Sequence, residues 1–120
     1  MRYLLVLLTL LIVASCNKED NGTACTLEAV YGLGVTVRHS ENNAVLKEGI
    51  TVTATDGTYV EELQTSEFLD NFFGAAERPG TYVITVEGEG FQSRISNPVV
   101  VASDECHVIT EFLEFTLQPL

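Results

Sequence analysis

The sequence is short of positive charge, since only six of its 120 residues are lysine or arginine, against 17 acidic residues. Nucleic-acid binding requires clustered lysines and arginines to meet the phosphates, so this shortage disfavours a nucleic-acid partner. The same shortage disfavours adsorption of the folded part onto anionic lipid. A long apolar run is also lacking. The run from Tyr3 to Val13 has eleven residues, whereas a helix that crosses a bilayer needs about 20.

Motifs that hold metals or perform catalysis are missing as well. There is no Cys-x-x-Cys, no His-x-x-x-His and no Asp-x-Asp-x-Asp-Gly, the patterns typical of zinc sites and calcium loops. No motif supplies a nucleophile, a base and a group that orients the base. Of the two histidines, His39 is predicted in a solvated turn and His107 in a structural hydrogen bond. The sequence therefore predicts no enzyme, no metal and no cofactor.

Residues 1–15 have the features of a signal peptide, because Arg2 precedes a short apolar run. The run ends in Val13-Ala14-Ser15-Cys16, which resembles the lipobox of bacterial lipoproteins. The resemblance implies cleavage before Cys16, a thioether-linked diacylglycerol on its sulfur and acylation of its new amino group. Two or more acyl chains hold a protein stably at a membrane. The alternative is soluble secretion after cleavage near Ala14.

Residues 16–24 are polar and without periodicity, which predicts a flexible tether. Within it, Lys18-Glu19-Asp20 resembles the export signal of surface-exposed lipoproteins in the Bacteroidota, and a plain solvated linker is the alternative. The predicted location is the cell envelope of a Gram-negative bacterium, as an outer-membrane lipoprotein that faces either the surface or the periplasm. The expected partners are the membrane, through Cys16, and an envelope protein or glycan. The sequence leaves the oligomeric state open.

Residues 16–120 suffice for one domain with a modest core. They carry 17 acidic and five basic residues, a formal charge of minus 12, which favours solubility of a densely displayed domain. With Cys16 assigned to lipid, Cys25 and Cys106 are the one remaining pair, and such a pair is usually oxidised outside the cytoplasm. Two free thiols, or a metal site of both cysteines with His107, are the alternatives.

Alternation of apolar and polar residues dominates the chain after the tether. Tyr82, Ile84 and Val86 share one face of a central predicted strand, which follows a Pro-Gly turn. Other strands are predicted near 26–30, 35–38, 50–55, 59–63, 71–75, 91–95, 99–101 and 107–117. A hairpin turn is predicted at Asp56-Gly57 and a further turn at Asn97-Pro98. All three residues of 99–101 are predicted to be buried, and a bulge is predicted near Glu111. No window has a convincing helical period. Residues 25–120 are therefore predicted as an all-β fold, a small antiparallel β-sandwich of about seven strands with Greek-key connections.

One group of aromatic residues suggests a partner surface. Phe68, Phe72 and Phe73 are the most apolar cluster in any predicted loop, and an exposed cluster there, together with Glu77, would mark a site of contact. The alternative places two of the three phenylalanines in the core. A rival function follows from the same region: the loops of residues 59–77 would bind a carbohydrate or calcium.

Three motifs together resemble a known family. They are Gly49-Ile50-Thr51-Val52-Thr53-Ala54-Thr55-Asp56-Gly57, then Arg78-Pro79-Gly80-Thr81-Tyr82-Val83-Ile84-Thr85-Val86 with Gly90-Phe91, then Cys106-His107-Val108-Ile109-Thr110. Their order resembles the carboxypeptidase regulatory-like domain, a transthyretin-like or prealbumin-like β-sandwich of bacterial envelope lipoproteins. The resemblance implies a non-catalytic accessory or interaction role and transfers no functional residues. Such an inference from fold to role is an analogy.

Overall fold

The computed structural model describes residues 24–120. The predicted signal peptide, the lipidation site Cys16 and the tether up to residue 23 lie outside the described residues. Within residues 24–120 the backbone forms eight β-strands and no α-helix. The strands are β1 Tyr31–His39, β2 Ile50–Asp56, β3 Tyr59–Glu62, β4 Phe72–Ala76, β5 Gly80–Gly88, β6 Arg94–Ile95, β7 Val99–Val101 and β8 Glu111–Leu117.

The strands form two sheets that pack face to face. One sheet has the order β4-β1-β8, and the other has the order β3-β2-β5-β6, with β7 also paired to β5. Strand β4 returns to lie beside β1 after β2 and β3 have formed a hairpin in the opposite sheet, which is a Greek-key connection. The predicted all-β sandwich is confirmed. One pair departs from a wholly antiparallel arrangement: β1 and β8 are parallel, which the long chain between them permits.

The core lies between the two sheets and contains no buried polar or charged residue of the described part. Tyr82, Ile84 and Val86 of β5, predicted to face inward, have no exposed surface. The other strands and their flanks contribute Leu33, Val35, Val37, Val52, Ala54, Leu63, Phe72, Ala75, Val101, Val108, Phe115 and Leu117. Full burial of one large aliphatic side chain contributes about 1.5–3 kcal/mol, so this layer is the main source of folding free energy.

The last strand differs from the prediction. The strand begins at Glu111, and no bulge interrupts its register with β1. The residues before it bond elsewhere: Val108 forms a bridge with Ser103, and the Thr110 hydroxyl donates to the carbonyl of Tyr31 at 2.6 Å. The alternation of apolar residues therefore shifts at the point where the chain leaves the partners of Val108 and Thr110 and begins to pair with β1. The prediction of a strand over 26–30 is also wrong. That segment is held by side-chain hydrogen bonds and by the disulfide.

Strands β6 and β7 run along the same edge of β5 and are separated by a β-bulge. The five steps from Arg94 to Val99 oppose four steps along β5, so the edge carries one extra residue. Ser96 spans the bulge, because its N–H donates to the carbonyl of Ile84 and its hydroxyl accepts from the N–H of Ile84, both at 2.8 Å.

Two predictions for this edge are wrong. The turn predicted at Asn97-Pro98 is the bulge itself, where the missing N–H of proline costs no sheet hydrogen bond. The predicted burial of all three valines of β7 holds for Val101, whereas Val100 is 63% exposed on the other face of the strand. An interrupted edge of this kind resists pairing with other chains.

Tyr82 fixes the turn that leads into β5. Its hydroxyl donates to the carbonyl of Arg78 at 2.7 Å and accepts from Arg78 Nη1 at 3.0 Å. The same Nη1 donates to Asp56 at 3.0 Å, and the guanidinium lies over the ring of Tyr59, 3.7 Å from its centroid. The hydrogen bonds to Tyr82 and then to Asp56 raise the pKa of Arg78 above its ordinary value. A tyrosine that bonds to the backbone just upstream is a tyrosine corner, a feature of Greek-key sandwiches.

Replacing Tyr82 with phenylalanine removes the hydroxyl and leaves the Arg78 carbonyl without this donor. We expect Tyr82→Phe to lower the free energy of unfolding by about 1–2 kcal/mol, measured by urea denaturation. Tyr31→Phe is the matched control, because the Tyr31 ring is 47% exposed and its hydroxyl makes no hydrogen bond within residues 24–120. The control should change stability by less than about 0.5 kcal/mol. Equal effects of the two substitutions on stability would contradict the stabilising role of the Tyr82 hydroxyl.

Candidate functional site

The N-terminal arm, residues 24–30, is fastened to the sandwich at one place, which we call the corner. The corner comprises Glu77, Asp104, Cys106 and His107. A disulfide joins Cys25 to Cys106, as predicted, with Cα atoms 5.2 Å apart and a sequence separation of 81. This bond excludes the two alternatives, which were a pair of free thiols and a metal site built on the cysteines. The disulfide joins the segment before β1 to the segment before β8, so it ties the two ends of the domain together.

Glu77 holds the same corner by hydrogen bonds. It follows β4 in a turn where Ala75 and Glu77 both adopt left-handed backbone, with φ of 56° and 50°. Its carboxylate accepts from the N–H of Val30 at 3.0 Å and of Val108 at 3.2 Å, and its own N–H donates to the Val30 carbonyl at 2.9 Å. Left-handed residues other than glycine cost about 1–3 kcal/mol each, and these bonds help to offset that cost.

His107 links the arm to Glu77. Its Nδ1 lies 2.5 Å from Glu77 Oε2, and its Nε2 lies 2.9 Å from Thr26 Oγ1. Because an ionised carboxylate can only accept, Nδ1 carries a proton, and in the neutral ring Nε2 accepts from the threonine hydroxyl. Asp104 orders the loop in front of the histidine, since its Oδ1 accepts from the N–H groups of Cys106 and His107 at 2.8 and 2.9 Å.

Both carboxylates of the corner are stabilised in the ionised form. The N–H of Val30 and then the ring of His107 lower the pKa of Glu77 below its ordinary value of 4.5. The N–H groups of His107 and then Cys106 lower the pKa of Asp104 in the same way. The corner therefore keeps two negative charges at neutral pH.

Thr26, His107 and Glu77 have the order hydroxyl, imidazole, carboxylate that also occurs in Ser-His-Asp hydrolases. Those enzymes need, in addition, free N–H donors aimed at the oxyanion that forms during acyl transfer. Here four main-chain N–H groups around the chain of hydrogen bonds are already bound by the two carboxylates. The geometry therefore supports attachment of the arm better than it supports catalysis.

An open cleft of about 480 Å³ lies beside the corner. Its lining includes Glu77, Asp104, Glu105 and His107 and contains no lysine or arginine. An anionic ligand would meet carboxylates there and is disfavoured.

The residues of the predicted partner surface are not brought together as one patch. Phe72 is 4% exposed and belongs to the core, whereas Phe68 is 88% exposed in the loop before β4. Phe73 is half-buried on the outer face of the three-stranded sheet, and Glu77 is bound within the corner. The predicted cluster therefore divides between core, loop, sheet face and corner.

An aromatic strip of Tyr31, Phe73 and Phe112 crosses the outer face of the three-stranded sheet. Gly34 of β1 pairs with Phe73 on one side and with Phe112 on the other. Both rings lean over it, because a Cβ atom at Gly34 would lie 2.8–3.0 Å from their carbons. The centroids of the Tyr31 and Phe73 rings are 5.5 Å apart, and Phe112 is 70% exposed. Aromatic rings thus cover the glycine, as in aromatic rescue of strand glycines.

Two acidic side chains near the 59–77 loops, Asp56 and Glu61, already have partners. Asp56 accepts from Arg78, and Glu61 accepts from the Tyr59 hydroxyl at 2.6 Å and from the Ala75 N–H at 3.0 Å. The hydrogen bond to Glu61 raises the pKa of Tyr59. Asp56 and Glu61 are thus engaged within the domain and are not available to the calcium or carbohydrate of the alternative function.

Sequence reasoning missed two features of this end of the molecule. The outer position of Phe112 could have been found, because it follows from alternation once Leu113, Phe115 and Leu117 are assigned to the core. The contact between Glu77 and His107 had no local signal, since 30 residues separate them along the chain.

Comparison with protein-family models and with curated proteins finds no match to this chain. The described part of the chain holds no helix with the length and apolar character to span a bilayer. It also has no group of three or more His, Cys, Asp or Glu side chains placed to hold a metal ion.

Removing the disulfide should weaken the whole domain, because it releases the two ends of a long loop. We expect Cys25→Ser with Cys106→Ser to lower the free energy of unfolding by about 2–5 kcal/mol, measured by urea denaturation. Reductant should produce a similar loss in the wild type and none in the double variant. Unchanged stability of the double variant would contradict this role.

Acid should remove the contribution of the Glu77 carboxylate to the stability of the fold. Because folding lowers its pKa, the stabilisation is present above the unfolded value of about 4.5 and is lost as the pH falls through the lowered folded value. We expect the difference in Tm between the wild type and Glu77→Gln to be largest near neutral pH and to shrink in more acidic buffers, measured by calorimetry. Glu67→Gln is the control, since the Glu67 side chain makes no hydrogen bond within residues 24–120. A wild-type advantage over Glu77→Gln that persists undiminished in acid would contradict this assignment.

Proposed function

We propose that this protein is a non-catalytic, lipid-anchored β-sandwich module of the bacterial cell envelope with an accessory or interaction role. The observation that carries the proposal is the fastened corner. The disulfide from Cys25, the hydrogen bond from Thr26 and the paired bonds of Val30 all attach the arm that leads towards Cys16. A domain held through its N-terminus benefits from an arm that is integral to the fold, because tension on the arm then acts on the disulfide.

The location proposed is the outer membrane of a Gram-negative bacterium, facing the surface or the periplasm. Support comes from the signal-peptide pattern of residues 1–15 and from the lipobox at Cys16. The disulfide adds independent support, because such bonds persist in oxidising compartments outside the cytoplasm.

The family proposed is the carboxypeptidase regulatory-like domain. Support comes from where its motif residues lie in the sandwich. The motif from Gly49 to Gly57 forms β2 and the following hairpin turn, where Gly57 has a φ of 62°. The Pro-Gly-Thr-Tyr motif forms the turn and the start of β5, and Phe91 packs against the core.

The anchor is tested by metabolic labelling with radioactive palmitate in a bacterial host that processes lipoproteins. We expect the wild type to incorporate label and Cys16→Ser to incorporate none, because the thioether forms on the sulfur of Cys16. The double variant Cys25→Ser, Cys106→Ser is the matched control and should be labelled like the wild type, since it keeps Cys16. Equal labelling of Cys16→Ser and the wild type would remove the anchor from the proposal.

A further inference from the structure

The outer edge of β8 offers free main-chain hydrogen-bonding groups. The N–H and C=O of one strand residue point to the same side, and the side alternates along the strand. The Leu117 carbonyl accepts from the N–H of Ser40, so Leu117 faces β1, and Phe112 and Glu114 face the other way. Strand β8 pairs with β1 alone, and outside that pairing none of residues 24–120 bonds to the main chain of Phe112 or Glu114.

The other sheet edges of the described part are protected. The edge of β4 is bridged at Phe73 by Gln64 and is distorted by the left-handed Ala75, one residue before the strand ends. The edge formed by β6 and β7 is broken by a bulge that contains Pro98, and β3 has only four residues. Short strands, bulges and prolines are the devices by which proteins prevent edge pairing. Strand β8 has seven residues, and no bulge or proline interrupts it.

The far end of β8 is covered, which limits the free edge to its first part. Arg94 donates to the Thr116 carbonyl from the open side at 2.9 Å, and the Gln92 N–H donates to the Gln118 carbonyl at 2.9 Å. The free groups therefore lie between Glu111 and Phe115. Beside them on the outer face stands Phe112 of the aromatic strip, which is 70% exposed.

Charge selects the occupant of this edge. Of the 17 acidic residues, all except Glu19 and Asp20 lie in the described part, which leaves 15 against four basic residues there. The four basic side chains, Arg38, Lys47, Arg78 and Arg94, each donate to acceptors of the same domain. A second copy would therefore bring like charge against like charge, whereas a basic partner is attracted.

We propose that β8 accepts an extended, positively charged segment of a partner polypeptide as an additional strand. The main chain of the segment bonds to Phe112 and Glu114, and an apolar side chain packs beside Phe112 on the outer face. Its basic side chains alternate onto the opposite face, where Glu111 lies, because the carboxylate of Glu114 already accepts from Arg38. The inference rests on the interaction role proposed above and names the chemistry of the partner.

The probe is a short, blocked, fluorescent peptide in which lysine alternates with valine and threonine, titrated onto the full chain in a neutral detergent. We expect a saturable rise in anisotropy that weakens with added salt. A peptide of the same sequence with alternate backbone nitrogens methylated should bind at least about tenfold more weakly, because it loses two or more hydrogen bonds. A peptide with glutamate in place of lysine should not bind.

Two protein variants distinguish the contribution of the main chain of β8 to peptide binding from that of the Phe112 ring. Phe112→Ala and Phe112→Pro both lose the ring, but only the proline variant loses the free N–H. We expect the proline variant to bind the lysine peptide several-fold more weakly than the alanine variant. Hydrogen exchange should show that the peptide protects residues 111–115 of the wild type. If the proline variant fails to fold, the methylated peptide still tests the edge on the wild type.

Three results would overturn the inference: no binding of the lysine peptide, equal binding of its methylated form, or equal binding of the acidic peptide. Protection of residues 111–115 that rises with protein concentration in the absence of peptide would instead assign the edge to a second copy. The palmitate experiment is independent of this titration. Loss of peptide binding with intact labelling therefore removes this inference and leaves the anchor in place.

Discussion

The parallel pairing of β1 with β8 is the constraint on which the rest of the molecule depends. These strands come from opposite ends of the domain, and β1 is the middle strand of its sheet, so the sheet is incomplete until they meet. Closing so long a loop costs conformational entropy. The Cys25–Cys106 disulfide and the bonds of Glu77 lie directly before the two strands and hold them at the correct distance.

The domain separates its apolar and polar contacts in space. Between the sheets, no polar or charged residue of the described part is buried, so hydrophobic burial supplies the folding free energy there. The corner instead uses partly exposed polar groups, whose individual contributions are modest but whose geometry is specific. Burial therefore stabilises the sandwich, and the corner determines where the arm joins it.

The sequence was sufficient for features set by local pattern or by elimination. Alternation predicted β2 and β5 because their inner residues are uniformly apolar, and the disulfide was predicted because two cysteines remained. Other features depend on partners distant in sequence. Pro98 signals a turn locally, and only its position beside β5 makes it a bulge. Phe72 and Phe73 are identical in local pattern, and their separation into core and surface follows from the register with β1.

The attachment of Cys25 also fixes a distance. With a lipid on Cys16, as proposed, nine residue steps along the sequence separate the anchor from Cys25. At no more than about 3.6 Å per residue, the attachment point would lie at most about 32 Å from the anchoring sulfur. That distance is close to the thickness of one hydrocarbon core, so a lipid on Cys16 would restrict the domain to a thin layer next to the bilayer and to neighbours within that layer.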